Sequence, residues 1–279
     1  MKISLNAADD GTLLAVDTST SSMSVALMRG GELLGELNST AERNHSIHLL
    51  PHIRQVLAEA RLHSSELDAF AVGVGPGSYT GVRIGVTVAK TFAWTHGLAL
   101  LGVSSLEGLA LGAGETFIHS DQAAVDRADQ VSSAITKLTR QHETMWIVPM
   151  IEARRGQAFT GLYQASHQGW TCKVPDGIRL MSVWADEILE QALKLPKDKQ
   201  PDRILFAGET ALHGEVLERF FGAWPGQSGV VAQEMRGRHI ADLARRQWQA
   251  GHVENAHRLV PNYTQLTEAE AKLLSQKQS

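Results

Sequence analysis

The sequence predicts an α/β fold in two lobes, each built from a mixed sheet with helices. Both halves of the 279-residue chain open with alternating apolar and polar runs that read as antiparallel strands, and both then continue with a strand, a glycine turn and a helix. A chain of this length fits two lobes of roughly 100–150 residues. With 43% hydrophobic residues, it can bury a large core.

Three antiparallel strands are predicted at the start of the first lobe, over residues 13–17, 23–28 and 32–38. A hydroxyl-rich turn over 18–22 joins the first two strands, and Gly30-Gly31 is a hairpin signal. A helix follows over about 46–61, and Pro51 should lie early in it or kink it.

A glycine-dense turn follows the next predicted strand, 69–74, and leads into a helix over 82–95. Gly75 and Gly77 can adopt backbone angles that other residues avoid. Such a turn directs several N–H groups at one spot, which suits an anion or the backbone of a partner. The block is neither a Walker A loop nor a dinucleotide fingerprint, because it lacks Gly-Lys-Ser/Thr and Thr80 stands where the third glycine would be.

The first lobe is predicted to end at residue 111, after a strand over 98–103 and a short helix over 106–111. Residues 112–143 are polar and lack a long apolar period, so we interpret them as an insertion or linker. A weak helix over 130–138, or a helical hairpin that caps the lobe, is the alternative.

The second lobe is predicted to span residues 144–279, with strands and helices in the same order as the first. Its helix over 239–250 is strongly amphipathic, so packing back on the N-terminal lobe is a further possibility. The tail over 269–279 is polar and is expected to fray. The remaining predicted strands cover 147–151, 158–164, 170–174, 178–181 and 203–207, and the remaining helices cover 185–193 and 211–221.

Composition excludes several classes of protein. A net charge of −4 and a pI near 6.3 argue against a free-standing nucleic-acid-binding protein. The single cysteine, Cys172, excludes an internal disulfide and a zinc site of several cysteines, and a half-buried thiol is the plain interpretation. We expect a soluble cytoplasmic protein with no membrane partner, because no apolar run approaches a membrane span. The alternative of a local basic patch that contacts nucleic acid is kept. It would be formed by Arg236, Arg238, Arg245, Arg246 and Arg258.

Two lobes that each begin with an antiparallel meander resemble the actin-like (ribonuclease H-like) superfamily. Within it, the chain resembles the TsaB family, the partner proteins of tRNA threonylcarbamoyladenosine formation. The resemblance covers most of residues 13–111. It lies in Asp17-Thr18-Ser19-Thr20 with Ser24-Val25-Ala26-Leu27, in the block from Gly75 to Gly85 and in Gly102-Val103-Ser104-Ser105-Leu106-Glu107, with weaker support from residues 151–157 and 261–263.

The resemblance also implies which chemistry the chain lacks. TsaD, the catalytic paralogue, carries a His-x-x-x-His metal motif with an internal glutamate just after the strand equivalent to 98–103. Here Ser105 and Leu109 stand at the two histidine positions, and Glu107 lies between them. Leucine cannot ligate a metal, and a serine hydroxyl is a poor ligand for a transition ion. We therefore expect no catalytic residue and no metal site in this chain.

Partners follow from the same resemblance. It implies an accessory subunit that pairs with a TsaD-like catalytic subunit and a TsaE-like ATPase, and that forms a homodimer when alone. tRNA would be reached indirectly, through the assembly. No cofactor is expected in the isolated subunit, although ATP or ADP could lie at an interface of the complex.

An interface is predicted on the helix over 82–95. One stripe of this helix is small and apolar, while an exposed tryptophan with arginine and lysine on another face is typical of an interface anchor. The alternative is a surface helix whose tryptophan folds into the core. The predicted interface residues are Arg83, Thr87, Lys90 and Trp94, with His48 and His52 from the preceding helix. With His45 these histidines could form a metal triad, but without a carboxylate among them a surface role is favoured.

A small-molecule kinase or ATPase on the same fold is the alternative function. Asp17 would then coordinate magnesium beside the phosphates of a nucleotide. The competing interpretation is that Asp17 caps its turn and the hydroxyls bond local backbone. A metalloprotease is disfavoured by the absence of His-Glu-x-x-His, and the charged turn with Glu152, Arg154 and Arg155 can be a solvated hairpin tip. The candidate nucleotide or backbone-contact residues are Asp17, Thr18, Ser19, Gly75, Gly77 and Ser78.

Overall fold

A computed structural model describes residues 7–40, 45–121, 133–140 and 143–264. Its two five-stranded sheets have the same topology. In each sheet the first strand of the lobe lies in the centre, with an antiparallel meander on one side and two parallel strands on the other. The two-lobed α/β fold predicted from the sequence is confirmed.

The N-terminal sheet has the order β3-β2-β1-β4-β5. Strands β1 and β2 are buried along nearly their whole length, because helices cover both faces of the sheet. Its strands are β1 (Thr12–Asp17), β2 (Ser22–Arg29), β3 (Glu32–Thr40), β4 (Ala69–Gly73) and β5 (Ala99–Val103).

The first helices of the chain are α1 (Ala7–Asp10), α2 (His45–Glu59), α3 (Tyr79–His96) and α4 (Ser105–Asp121). Helices α2 and α3 cover one face of the N-terminal sheet, where Ile53 and Val86 join the same core as Leu14. Helix α3 ends because Gly97 adopts a left-handed conformation (φ 68°) that favours glycine.

The C-terminal sheet has the order β10-β9-β6-β7-β8. Helices α6 and α7 pack on its outer face around Trp184 and Phe220. The elements are α5 (Ala134–Thr139), β6 (Met145–Glu152), β7 (Gln157–Ser166), β8 (Gly169–Leu180), α6 (Met181–Lys194), β9 (Arg203–Gly208), α7 (Gly214–Ala223), β10 (Gln227–Val231) and α8 (Gly237–Gln249).

One core joins the two lobes. It contains Leu13 and Ala15 of β1, Ile147 and Leu205 of the C-terminal sheet, and Ile240 of α8. Helix α8, the predicted 239–250 helix, contacts β1, β2, β4 and β5 of the N-terminal sheet. The two sheets are therefore joined through packed helices.

The segment after α8 also returns to the first lobe. The amide of Glu254 donates to the carbonyl of Leu100 (2.8 Å), and that of Asn262 donates to Val74 (2.7 Å). Leu259 is buried in the N-terminal core, and its carbonyl accepts from Lys90 (2.9 Å). This return crosses the outer edge of the N-terminal sheet.

The helix predicted to end at residue 111 runs on to Asp121, so that prediction is wrong. Gly112 and Gly114 do not break the helix; they allow close packing. A Cβ on Gly112 would lie 2.6 Å from the His239 ring, and one on Gly114 would lie 2.7 Å from Leu138. The predicted insertion over 112–143 therefore begins inside α4 and includes α5, while residues 122–132 and 141–142 lie outside the described part.

Two further differences concern strands and ends. Strand β8 is continuous where two short strands, 170–174 and 178–181, were predicted. Shifts in its register with β7 accommodate the residues between the two predicted strands. Strand β10 was not predicted. The tail over 269–279 lies outside the described residues. Among those described, no helix is long and apolar enough to cross a bilayer.

Candidate partner-binding site

Asp17, the candidate magnesium ligand, is completely buried at the end of β1. Its Oδ1 accepts hydrogen bonds from the amide and the hydroxyl of Ser19 (2.8 and 2.6 Å), and its Oδ2 accepts from the hydroxyl of Ser105 (2.6 Å). Burial raises the pKa of the Asp17 carboxyl, although these hydrogen bonds act in the opposite direction. Both carboxylate oxygens thus serve the fold.

The two candidate phosphate loops pack directly on each other. The hydroxyl of Thr18 donates to the carbonyl of Gly81 (2.7 Å), and the amide of Ser78 donates to the carbonyl of Ser19 (2.6 Å). A Cβ on Gly77 or Gly81 would overlap the carbonyl oxygen of Ser19 or Thr18. The glycines therefore provide room for the neighbouring turn.

A cleft of about 630 Å³ lies between the lobes. Ser19 and Ser78 line it, whereas Asp17, Thr18, Gly75 and Gly77 do not. The structure thus does not bring the six candidate nucleotide residues to one open surface. Hydroxyls and two carboxylates dominate the lining, from Ser19, Thr20, Ser21, Ser78, Thr80, Glu152 and Glu209, with His45 and Arg154.

An apolar groove of about 440 Å³ lies between α2 and α3. Its surroundings expose large hydrophobic side chains: Ile47 is 65% exposed, Tyr79 52% and Leu50 47%. The groove is lined by Ser46, Leu49, Leu50, Tyr79, Thr80, Arg83, Ile84, Thr87 and Val88. An apolar depression with exposed aromatic and aliphatic neighbours is the kind of surface that binds protein partners.

The predicted interface residues of α3 differ in their surroundings. Arg83 and Thr87 line the groove, and the Arg83 guanidinium lies 5.0 Å from the centre of the Tyr79 ring. Trp94 is 73% exposed, so it does not fold into the core. Lys90 instead bonds the carbonyl of Leu259 within the chain. Two of the four residues therefore lie in the groove, and Trp94 extends the exposed face of the helix.

His48 and His52 stack on each other along α2, with ring centroids 6.1 Å apart, and neither lines the groove. Burial and the charge of His48 lower the pKa of His52. His45 is buried, and its Nε2 lies 2.9 Å from the carbonyl oxygen of Thr20. Among the described residues, no group of three His, Cys, Asp or Glu side chains is arranged to hold a metal.

The two positions that the sequence resemblance sets at the TsaD histidines, Ser105 and Leu109, lie in the interior. Besides donating to Asp17, the hydroxyl of Ser105 accepts from the amide of Gly75 (3.1 Å). Leu109 is buried in the core between the lobes. Glu107 is partly buried and accepts from the Trp170 indole (2.9 Å), and burial raises its pKa. These residues connect elements of the fold.

Sequence comparison identifies the family. A tRNA threonylcarbamoyladenosine biosynthesis protein TsaB from Bacillus subtilis is 34% identical over 263 residues, which cover 94% of this chain and 97% of that protein. The chain belongs to the TsaB family. The TsaB protein of Escherichia coli is 27% identical over 80% of the chain and 78% of its own length. A family model described as TsaD, tRNA N6-adenosine threonylcarbamoyltransferase, matches residues 35–122.

Solved structures agree with the TsaB fold. A Pseudomonas aeruginosa crystal structure, of an uncharacterised protein with similarity to peptidase YeaZ, has a TM-score of 0.65 and 25% identity. The match covers 91% of this chain and all of that one. The two-lobed α/β fold of this chain is therefore shared with a solved structure.

Sequence reasoning missed the apolar part of this TsaB surface. Ile47 and Leu50 lie on α2 outside the stripe that enters the core. On α3, the half-buried Ile84 packs against the core and also lines the groove. A signal was present, because both helices carry more apolar residues than one buried stripe requires. Tyr79, inside the glycine block, was treated only as part of a turn.

Proposed function

We propose that this chain is a non-catalytic subunit that pairs with a TsaD-like enzyme in threonylcarbamoyl transfer to the adenosine next to the tRNA anticodon. The TsaB relatives, named for biosynthesis of this modified nucleoside, and the TsaD family match support the proposal. The buried, hydrogen-bonded state of Asp17 and Ser105 supports a role without chemistry at this subunit.

The observation that carries the proposal is the apolar groove between α2 and α3. The partner would place an apolar helix or loop there, against Leu50 and Tyr79. By binding the active conformation of the enzyme more tightly than its other conformations, the chain would raise the population of that conformation. A TsaE-like ATPase, ATP or ADP at an interface, and self-pairing of the free subunit belong to the same proposal.

Leu50→Asp tests the groove. A carboxylate in an apolar contact should weaken association with the TsaD-like partner at least tenfold, or about 1.4 kcal/mol, as expected for a central interface residue. Titration calorimetry and a threonylcarbamoyl transfer assay measure the two effects. Leu212→Asp is the matched control, because Leu212 is 79% exposed beside α7 and does not line the groove.

Three further results bear on the proposal. Transfer at an unchanged rate without this chain would contradict it.

Light scattering on the free subunit tests self-pairing, and Trp94→Ala should shift the mass toward the monomer. Melting with and without Mg-ATP tests the kinase alternative: stabilisation by nucleotide that Asp17→Asn abolishes would favour that alternative instead.

A further inference from the structure

Two consecutive arginines adopt left-handed backbone conformations in the turn between β6 and β7. Arg154 has φ 69° and Arg155 φ 55°, and Gly156 follows with φ 74°. The amide of Gln157 donates to the carbonyl of Arg154 (3.0 Å), which closes a two-residue turn of the I′ kind. Asparagine and glycine suit such turns, whereas arginine does so only at a conformational cost.

Carboxylates hold the main chain of this turn and leave the guanidinium groups free. Glu152 Oε1 accepts from the amide of Arg154 (2.6 Å), and its Oε2 lies 2.9 Å from the His213 ring. Glu209 in turn accepts from the amide of Glu152 (2.8 Å). Arg154 and Arg155 are exposed, and neither makes an ion pair or a side-chain hydrogen bond with any residue that the structure describes.

The turn lies beside the proposed partner surface. Arg154 lines the cleft between the lobes, and Thr80 and Ile84 line both that cleft and the α2–α3 groove. The cleft that Arg154 lines therefore adjoins the groove, and Arg155 is the next residue of the turn. An RNA that a partner in the groove holds over this cleft would meet the two arginines. Hydroxyl side chains and the carboxylates of Glu152 and Glu209 surround Arg154 in the cleft, so the site favours ionic contacts over an apolar protein interface. Both carboxylates already accept main-chain hydrogen bonds, whereas the guanidinium groups keep their donors for an anion.

We infer that Arg154 and Arg155 bind the phosphodiester backbone of the RNA substrate once the partner has captured it. The inference rests on the proposed function, in which the assembly acts on tRNA. Guanidinium forks match phosphate oxygens, and such contacts orient an RNA without reading its sequence. The net charge of −4 means that the attraction is local and that the free subunit binds RNA weakly.

The test uses the complete assembly with unmodified tRNA. Arg154→Ala/Arg155→Ala should lower tRNA affinity roughly tenfold at physiological salt and reduce the slope of log K against log salt by about 1 to 2. Arg155→Asn separates charge from folding, because asparagine suits the turn: affinity should fall while the melting temperature is kept. Arg154→Lys/Arg155→Lys should retain most of the salt slope.

Arg61→Asn is the matched control, since Arg61 is another exposed, left-handed arginine (φ 55°) at the end of α2, outside the cleft. It should leave tRNA affinity unchanged. Unchanged affinity and salt slope in the double variant, with the assembly intact, would overturn the inference alone. If the double variant no longer assembles with the partner, the inference is also overturned, because the arginines would then pair with carboxylates of the partner protein. If the wild-type chain does not associate with the partner, the proposed function fails, and the inference with it.

Discussion

The Asp17 carboxylate lies inside the N-terminal lobe with three donors around it, two from Ser19 and one from Ser105. Gly73 faces it so closely that a Cβ there would overlap Oδ2. Since Ser105 also accepts from Gly75, one hydroxyl connects the end of β1, the glycine block and the start of α4. A nucleotide phosphate is not needed to explain any of these residues.

Ser105→Ala should therefore destabilise the fold. It removes the donor to Asp17 Oδ2 and the acceptor of the Gly75 amide, and both groups stay buried. Unsatisfied buried polar groups cost about 1–3 kcal/mol each, so the free energy of unfolding should fall by about 2–4 kcal/mol in urea titrations. Ser120→Ala, at the exposed end of α4, is the control and should change it by less than about 0.5 kcal/mol.

The same residues show what the sequence could reveal at this scale. The glycine block and the Asp17 turn stand out by composition, and the sequence places each directly after a predicted strand. That these two strands are neighbours in the sheet is seen only in the structure. The sequence also does not show that Ser105, 88 residues after Asp17, provides the third donor. Two loops that pack on each other and two loops that hold an anion require the same glycines and hydroxyls, so only the tertiary contact distinguishes them.

At the scale of elements, Glu115 joins three helices. It projects from α4, bonds Lys137 of α5 (2.9 Å) and His239 of α8 (3.0 Å), and lies 3.4 Å from Arg238. Burial alone would raise the pKa of Glu115, but the hydrogen bond and charge of His239, with Lys137 and Arg238, outweigh it and bring that pKa well below its ordinary value.

Glu115→Gln should be strongly destabilising at pH 7, by about 3–5 kcal/mol, because it leaves Lys137 and Arg238 beside a neutral group in a partly buried site. The pKa of Glu115 is lower in the folded state than in the unfolded state. The stability it contributes is thus complete above the ordinary value of 4.5 and is lost as the pH falls through the folded-state value. Urea midpoints of both proteins should converge progressively below pH 4.5.

Glu190→Gln is the control for this effect. Glu190 pairs with Lys194 on the exposed face of α6, where an ion pair contributes about 0.5 kcal/mol or less. Its variant should follow the wild-type pH dependence. A Glu115→Gln difference that persists unchanged at pH 3.5 would mean that packing, and not the charge of Glu115, holds the three helices.

Helices with a single regular apolar stripe could be predicted from the sequence. Helices whose residues are chosen to fit a closely packed neighbouring element could not. Helix α3 has a regular apolar stripe, and the sequence predicts its end to within one residue. Its start was predicted at 82, three residues late, because Tyr79, Thr80 and Gly81 were assigned to the glycine turn. Helix α4 is apolar on most sides because it lies between two sheets, and its glycines admit His239 and Leu138. The sequence alone does not show those neighbours, so Gly112 and Gly114 predict the end of a helix.

At the scale of the whole molecule, the lobes share their interior. The core between the sheets includes residues of β1, β6, β9, α4 and α8. Polar contacts add to it: the hydroxyl of Ser104, in the first lobe, donates to Asp176 of β8 (2.5 Å), which also accepts from Tyr163 (2.6 Å). Lobes joined in this way are poorly suited to the wide opening and closing by which many two-lobed enzymes enclose a substrate.

The shared core predicts that both lobes unfold together. Calorimetry should show one transition whose van't Hoff and calorimetric enthalpies agree. Ile240→Ala removes a fully buried side chain of α8 that contacts Gly108 of α4, and it should cost about 2–5 kcal/mol. Because Ile240 belongs to the core of both lobes, the single transition should move to lower temperature without dividing. Two separated transitions, with only one shifted by Ile240→Ala, would show that the lobes are independent units and would restore hinge motion between them as a possible mechanism.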